Sequence, residues 1–256
     1  METLGLLPVE VITYILSFLP IPDRKEAALV NQTWYMAAQD SLHQENLVFN
    51  IPAASASLKT IRNLAQRHVS SVKMTNLDGS STSRDVVKYV ANYLGPHLRS
   101  LCLHGSILTE AGFEELLLNC PCLTALDLSG CNSLFMSGTL LSKEDASLQA
   151  GKALVNLEAL NLSGVKYLSD LTFNRLTRCC PHLAKLALAR CHVLFEFDAY
   201  YNSKNYNSSV VLSFRNLLQF FRERASRLKV LDLSATSISS HAVKSLVQVE
   251  TCASTS

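Results

Sequence analysis

Between residues 69 and 233 the chain returns six times to one apolar pattern, L-x-x-L-x-L. It reads Val69-Val72-Met74, Leu98-Leu101-Leu103, Leu123-Leu126-Leu128, Leu157-Leu160-Leu162, Leu183-Leu186-Leu188 and Leu228-Leu231-Leu233. The last two apolar positions of each unit alternate with small or polar residues, the period of a strand with one buried face. Helical spacing follows, as at 111–119 with Phe113, Leu116 and Leu117, and at 171–179 with Phe173 and Leu176. The unit starts lie 29, 25, 34, 26 and 45 residues apart, so a period near 25 or 26 is lengthened twice, by insertions near 135–151 and 195–209. Residues 47–49 with a helical stretch at 56–67 read as an atypical first unit. The fold class expected is α/β: a solenoid of six to seven units, with parallel strands on a concave face and helices on a convex one.

Before residue 46 the pattern changes, and 4–42 reads as three short helices. Val11, Ile12, Ile15, Leu16 and Leu19 follow Pro8 at spacings that suggest one helix face, and Pro20 and Pro22 are expected to end that helix. Asp23 is a candidate N-cap for a second helix, and a third runs through Trp34, Ala37 and Ala38. About forty residues bury little on their own, so such a module is expected to dock on something.

Composition narrows the class. Leucine supplies 44 of 256 residues, far above ordinary usage, and 48% of the chain is apolar. The net charge of +2 gives no electrostatic footprint for nucleic acid or an anionic membrane. The apolar stretch 4–21 carries Glu10, Pro8 and Pro20 and reads as neither a signal peptide nor a membrane span. Eight cysteines are too few for a disulfide scaffold and read as reduced thiols of a cytoplasmic or nuclear protein.

Leu7-Pro8-Val9-Glu10, Ile15-Leu16-Ser17-Phe18-Leu19, Asp23-Arg24, Ala28-Leu29-Val30 and Trp34 together resemble an F-box. Cys120-Pro121 and Cys180-Pro181, each just before a strand, with Cys131 and Cys191 just after one, resemble the cysteine-containing subtype of leucine-rich repeat found in F-box proteins. The resemblance implies an F-box at 1–45 and a repeat solenoid at 46–256. It implies a substrate-recognition subunit of an SCF ubiquitin ligase, which directs ubiquitination and proteasomal degradation of a bound protein. Its partners would be the ligase adaptor and, through it, cullin and RING subunits. Leu7, Pro8, Ile15, Leu16, Leu29, Val30 and Trp34 are then the positions that contact or support the adaptor. No catalytic residue, metal or cofactor is implied. The alternative is a leucine-rich-repeat scaffold or inhibitor outside any ligase, with the first helices as a mere cap.

Other chemistry is weaker. Cys120, Cys122, Cys179, Cys180 and His182 lack paired metal-ligand spacing and read as structural thiols, while Cys102 and His104 share one strand face open to solvent. Arg222, Arg224, Arg227 and Lys229 end a helical stretch, where cations complement the helix dipole. On the concave face Asp127, Asn161, Lys185 and Asp232 are the candidate polar readers of a substrate, and Tyr200, Tyr201 and Tyr206 in the second insertion are candidate contacts. A solenoid needs a polar-faced terminal cap, so either 242–249 serves or the chain is a shortened form of a longer protein.

Overall fold

The computed structural model describes residues 7–39, 47–67, 69–194 and 211–238, together with Lys244. Three short helices come first: α1 (Val9–Ser17), α2 (Ile21–Ala27) and α3 (Gln32–Ala38). They close on Ile12, Leu16 and Ala37, with Val9, Leu19, Ala27, Trp34 and Ala38 packed around them. Pro8 precedes α1 rather than opening it. The two later prolines start a helix rather than ending one: α1 stops at Ser17, Pro20 stands at the N-cap of α2, and Pro22 lies in its first turn. Proline fits there because the first-turn N–H groups have no helical acceptor to lose. Asn31, not Asp23, provides the side-chain cap seen in this module, its Oδ1 accepting from Trp34 N at 3.0 Å. Arg24 closes the end of α1, donating from Nε to Leu19 O at 2.7 Å.

From residue 48 onward strand and helix alternate. The strands β1 (Val48–Pro52), β2 (Ser71–Thr75), β3 (Ser100–Cys102), β4 (Ala125–Asp127), β5 (Ala159–Asn161) and β6 (Lys185–Ala187) pair in parallel and in chain order, and β6 pairs with β9 (Val230–Asp232). The register places Val72, Leu101, Leu126, Leu160, Leu186 and Leu231 directly beside one another. All but the last are buried, while the residues flanking them are half-buried or exposed. One face of the sheet is therefore packed and the other is bare. Helices α4 (Ser55–Ala65), α5 (Ser81–Tyr93) and α6 (Glu110–Leu118) lie over the packed face with α8 (Glu144–Ala153), α9 (Asp170–Arg178) and α10 (Phe214–Arg224).

The stretch 135–151, expected as an insertion, joins this layer. A single turn, α7 (Asn132–Phe135), buries Leu134 and Phe135, and α8 then supplies the covering helix through Ala146, Ala150 and Ala153. The second insertion, 195–209, lies outside the described residues. Its two ends meet as a short parallel pair, β7 (Val193–Leu194) with β8 (Leu212–Ser213). Asp170 at the start of α9 fastens β8, accepting from Ser213 N at 2.7 Å and from Ser213 Oγ at 2.8 Å. A reciprocal amide pair, Asn174 with Asn216 at 2.9 and 3.0 Å, joins α9 to α10.

Five strands, β3, β4, β5, β6 and β9, end in the same tight turn, which requires a left-handed backbone. Gly105, Gly130 and Gly164 occupy it at φ 63°, 68° and 71°, whereas Arg190 and Ala235 adopt φ 57° and 53° with a side chain attached. A Cβ in this conformation is strained. Arg190 is exposed. Arg190→Gly is expected to raise stability by about 1 kcal/mol and Gly130→Ala to lower it by a similar amount, both read by thermal denaturation.

Candidate partner-binding surfaces

The first candidate surface is the outside of the three-helix module. Helix α1 turns Ile12, Thr13 and Leu16 inward, yet Val11, Tyr14, Ile15 and Phe18 on its other faces are also apolar and exposed. The residues expected on one face thus divide, with Ile12 and Leu16 in the core and Val11 and Ile15 outside it. Tyr14 and Phe18 meet edge to face with centroids 4.9 Å apart, making an exposed aromatic pair. Leu29 and Val30, in the link between α2 and α3, are 78% and 63% exposed. Leu7, Tyr35 and Met36 add further apolar area. Apart from the polar stripe of Glu10 and Ser17, α1 is apolar on its outer side as well as its inner one, and each such side chain gains about 1.5–3 kcal/mol when covered. This surface asks for an apolar partner.

The positions singled out in the sequence fall into two groups. Leu7, Pro8, Ile15, Leu29 and Val30 are exposed and can touch a partner. Leu16 has no exposed surface and Trp34 is half-buried against the same core, so these two hold the module in shape. Tyr14, Phe18, Tyr35 and Met36 were not singled out. For Tyr14 and Phe18 the signal is that α1 carries more apolar residues than its inward face can bury; Tyr35 and Met36 belong to α3.

The second candidate surface is the bare face of the sheet, a shallow groove of about 320 Å³ running across β3, β4, β5, β6 and β9. Its floor is small, with Ser100, Ala125, Ala159 and Ala187, and it includes Asp127, Asn161, Lys185 and Asp232. Three of these four also have work inside the fold. Asp127 Oδ1 accepts from Ser129 N at 2.8 Å, Asn161 Oδ1 from Ser163 N at 3.0 Å and Asp232 Oδ1 from Ser234 N at 2.9 Å. The repeated bond shapes the turn after each strand. In Asp232 the bonds from the Ser234 side chain and backbone hold the carboxyl below its ordinary range. Lys185 stands exposed beside them. Tyr200, Tyr201 and Tyr206 lie outside the described residues.

Cys102 and His104 each turn to the next unit. Cys102 Sγ donates to Asp127 Oδ2 at 3.6 Å, and His104 Nδ1 bonds Ser129 Oγ at 2.7 Å. Burial pushes the Cys102 thiol up, which keeps it protonated and a poor nucleophile. The basic residues 224 and 227 cap a neighbouring helix rather than their own. Arg224 Nη1 and Arg227 Nη1 donate to Pro181 O at 2.7 and 2.9 Å, and Arg224 Nη2 reaches Thr177 O near the end of α9.

Among the remaining thiols, Cys131 and Cys191 bind unit to unit in one repeated way. Cys131 Sγ donates to Leu103 O at 2.9 Å and Cys191 Sγ to Leu162 O at 3.1 Å, each reaching the strand end of an earlier unit. Burial pushes both thiols up to about 11 and Cys120 to about 12. Among the described residues no cluster of His, Cys, Asp and Glu could hold a metal ion, and no helix is long and apolar enough to cross a membrane. Ser106 fills the position of Cys131 in its own unit, but its buried Oγ meets no hydrogen-bond partner among the described residues. Ser106→Cys, with its longer reach and cheaper burial, is expected to gain about 1 kcal/mol in chemical denaturation. A thiol reagent at pH 8 should label the exposed Cys122 in the native protein and reach Cys120, Cys131, Cys180 and Cys191 only on unfolding, as followed by peptide mass mapping.

In comparison with known protein families, the F-box-like family model matches residues 4–47, a stretch that contains α1, α2 and α3.

Proposed function

We propose that this chain is a substrate receptor of an SCF ubiquitin ligase, non-catalytic itself, which holds a protein for ubiquitination and proteasomal degradation. One observation carries the reading: a module matched to the F-box-like family is apolar on its outward faces as well as in its core. Leu7, Pro8, Ile15, Leu29 and Val30 would meet the ligase adaptor, supported from beneath by Leu16 and Trp34, and the adaptor would bring cullin and RING subunits. Tyr14 and Phe18 extend that contact.

The strand–helix stack is read as a leucine-rich-repeat solenoid of the cysteine-containing kind. The leucines in register and the thiol-to-carbonyl bonds of Cys131 and Cys191 support that reading. Its bare, small-residue face would receive the substrate, with Lys185 and the outer atoms of Asp127, Asn161 and Asp232 as polar contacts, and Tyr200, Tyr201 and Tyr206 are proposed as further contacts. Such a receptor needs no acid, base or nucleophile. It raises the effective concentration of the substrate lysine at the charged enzyme, so affinity and geometry are its whole contribution. Reduced, buried thiols suit the cytosol or nucleus.

The test separates contact from fold. The double variant Leu29→Asp/Val30→Asp places charges at two exposed positions, so the melting temperature should stay near wild type while affinity for a purified SCF adaptor falls by about 100-fold or more in calorimetry. Leu16→Ala, by contrast, should cost about 2–4 kcal/mol of module stability. Wild-type affinity in the double variant would remove the assigned contact, and a folded wild-type chain that fails to bind the adaptor would leave the scaffold reading in its place.

A further inference from the structure

The lengthened unit changes the outer layer of helices as well as the chain length. Helix α8 packs closely on α6, and a groove of about 680 Å³ runs between α8 and α9, where Cys179 Sγ at the end of α9 donates to Ser147 O of α8 at 3.6 Å. Leu148 on α8 and Val155 just after it expose large apolar side chains there. Gly151 lies between them on the groove wall, and a Cβ built on it meets nothing within 4 Å. The cleft therefore holds an apolar strip, Leu148 and Val155, with no side chain at Gly151 to fill the space between them.

Its charge is one-sided. Lys143 and Lys152 line it from the α8 side and Arg175 and Arg178 from α9, against a single carboxylate, Glu144. Four cations and one anion leave +3 in this groove, in a chain whose formal net charge is +2. Arg175 Nη1 is engaged by Gly138 O at 2.9 Å, while Lys143, Lys152 and Arg178 make no ion pair among the described residues.

We propose that the groove between α8 and α9 is a second protein-docking site, and that its occupant is an acidic amphipathic helix from a partner protein. The apolar floor would take the partner's apolar stripe, and the four cations would meet carboxylates on either side of it. A helix fits better than an extended segment, because no strand edge lines the groove and a helix satisfies its own backbone hydrogen bonds. A nucleic-acid strand fits worse, since no aromatic ring lines the groove to stack a base. The site is separate from both the F-box-like module and the bare face of the sheet, so it stands whether or not the ligase reading does.

The probe is a fluorescein-labelled peptide of eighteen residues, helix-stapled, with leucine at i, i+4, i+7 and i+11 and glutamate flanking that stripe. With the full-length chain, fluorescence anisotropy should give a Kd of roughly 10 μM at moderate salt, weakening as salt rises. The double variant Lys152→Glu/Arg178→Glu should lose about tenfold or more in affinity, since exposed charges steer and select partners. Gly151→Leu, which fills the groove and favours the helix, should lose binding with a melting temperature no lower than wild type. A peptide with lysine in place of glutamate should not bind. The proposal is overturned if the acidic peptide fails to bind, if either variant binds it as well as wild type, or if single-stranded DNA displaces it from the groove.

Discussion

A leucine that must be buried at the same place in every strand leaves the backbone little choice. Leu101, Leu126, Leu160 and Leu186 stand side by side at the spacing of a parallel ladder, about 4.8 Å, and all must be covered from one side. Each unit therefore returns its chain through a helix on that side and rises by one strand. The left-handed turn at Gly105, Gly130, Gly164 and Arg190, the carboxylate or amide that closes it, and the thiol that reaches an earlier carbonyl all serve this step. Parallel sheets are ordinarily covered on both faces, so one with a bare face is a surface already flat, rigid and free of bulky side chains.

The same constraint explains what could be read in advance. The strands were legible because their leucines are large and strictly spaced, and the observed register joins the residues that the repeat pattern aligns. Helix α8 was not legible, since its inward stripe is Ala146, Ala150 and Ala153, too small to mark a periodicity. Helix α5 buries Val86, Val87 and Val90, β-branched residues whose composition suggests a strand. The division of labour at the candidate sites was hidden for a different reason. That Leu16 lies inside and Ile15 outside, or that Asp127 bonds a backbone N–H two residues on, depends on side-chain direction, which residue spacing alone does not fix.

The module and the stack solve opposite problems. The stack buries its large side chains against itself and exposes small ones, so its bare face can approach a partner's backbone closely. The module is too small to do that and holds itself with Ile12, Leu16 and Ala37 while Leu29, Val30 and Phe18 remain in water. Its exposed apolar area is a standing cost in isolation, one that covering by burial rather than by charge would relieve.

The joint at β7 and β8 has an evolutionary consequence. Strand β7 ends at Leu194 and β8 begins at Leu212, and the two are paired to each other, with Asp170 fastening β8. Because that clasp closes the base, doubling the length of what lies between adds only about 0.6 kcal/mol of closure entropy and does not disturb the leucine register on either side. Sequence can therefore be gained, lost or exchanged at this joint by descent, while the rest of the stack is inherited unchanged.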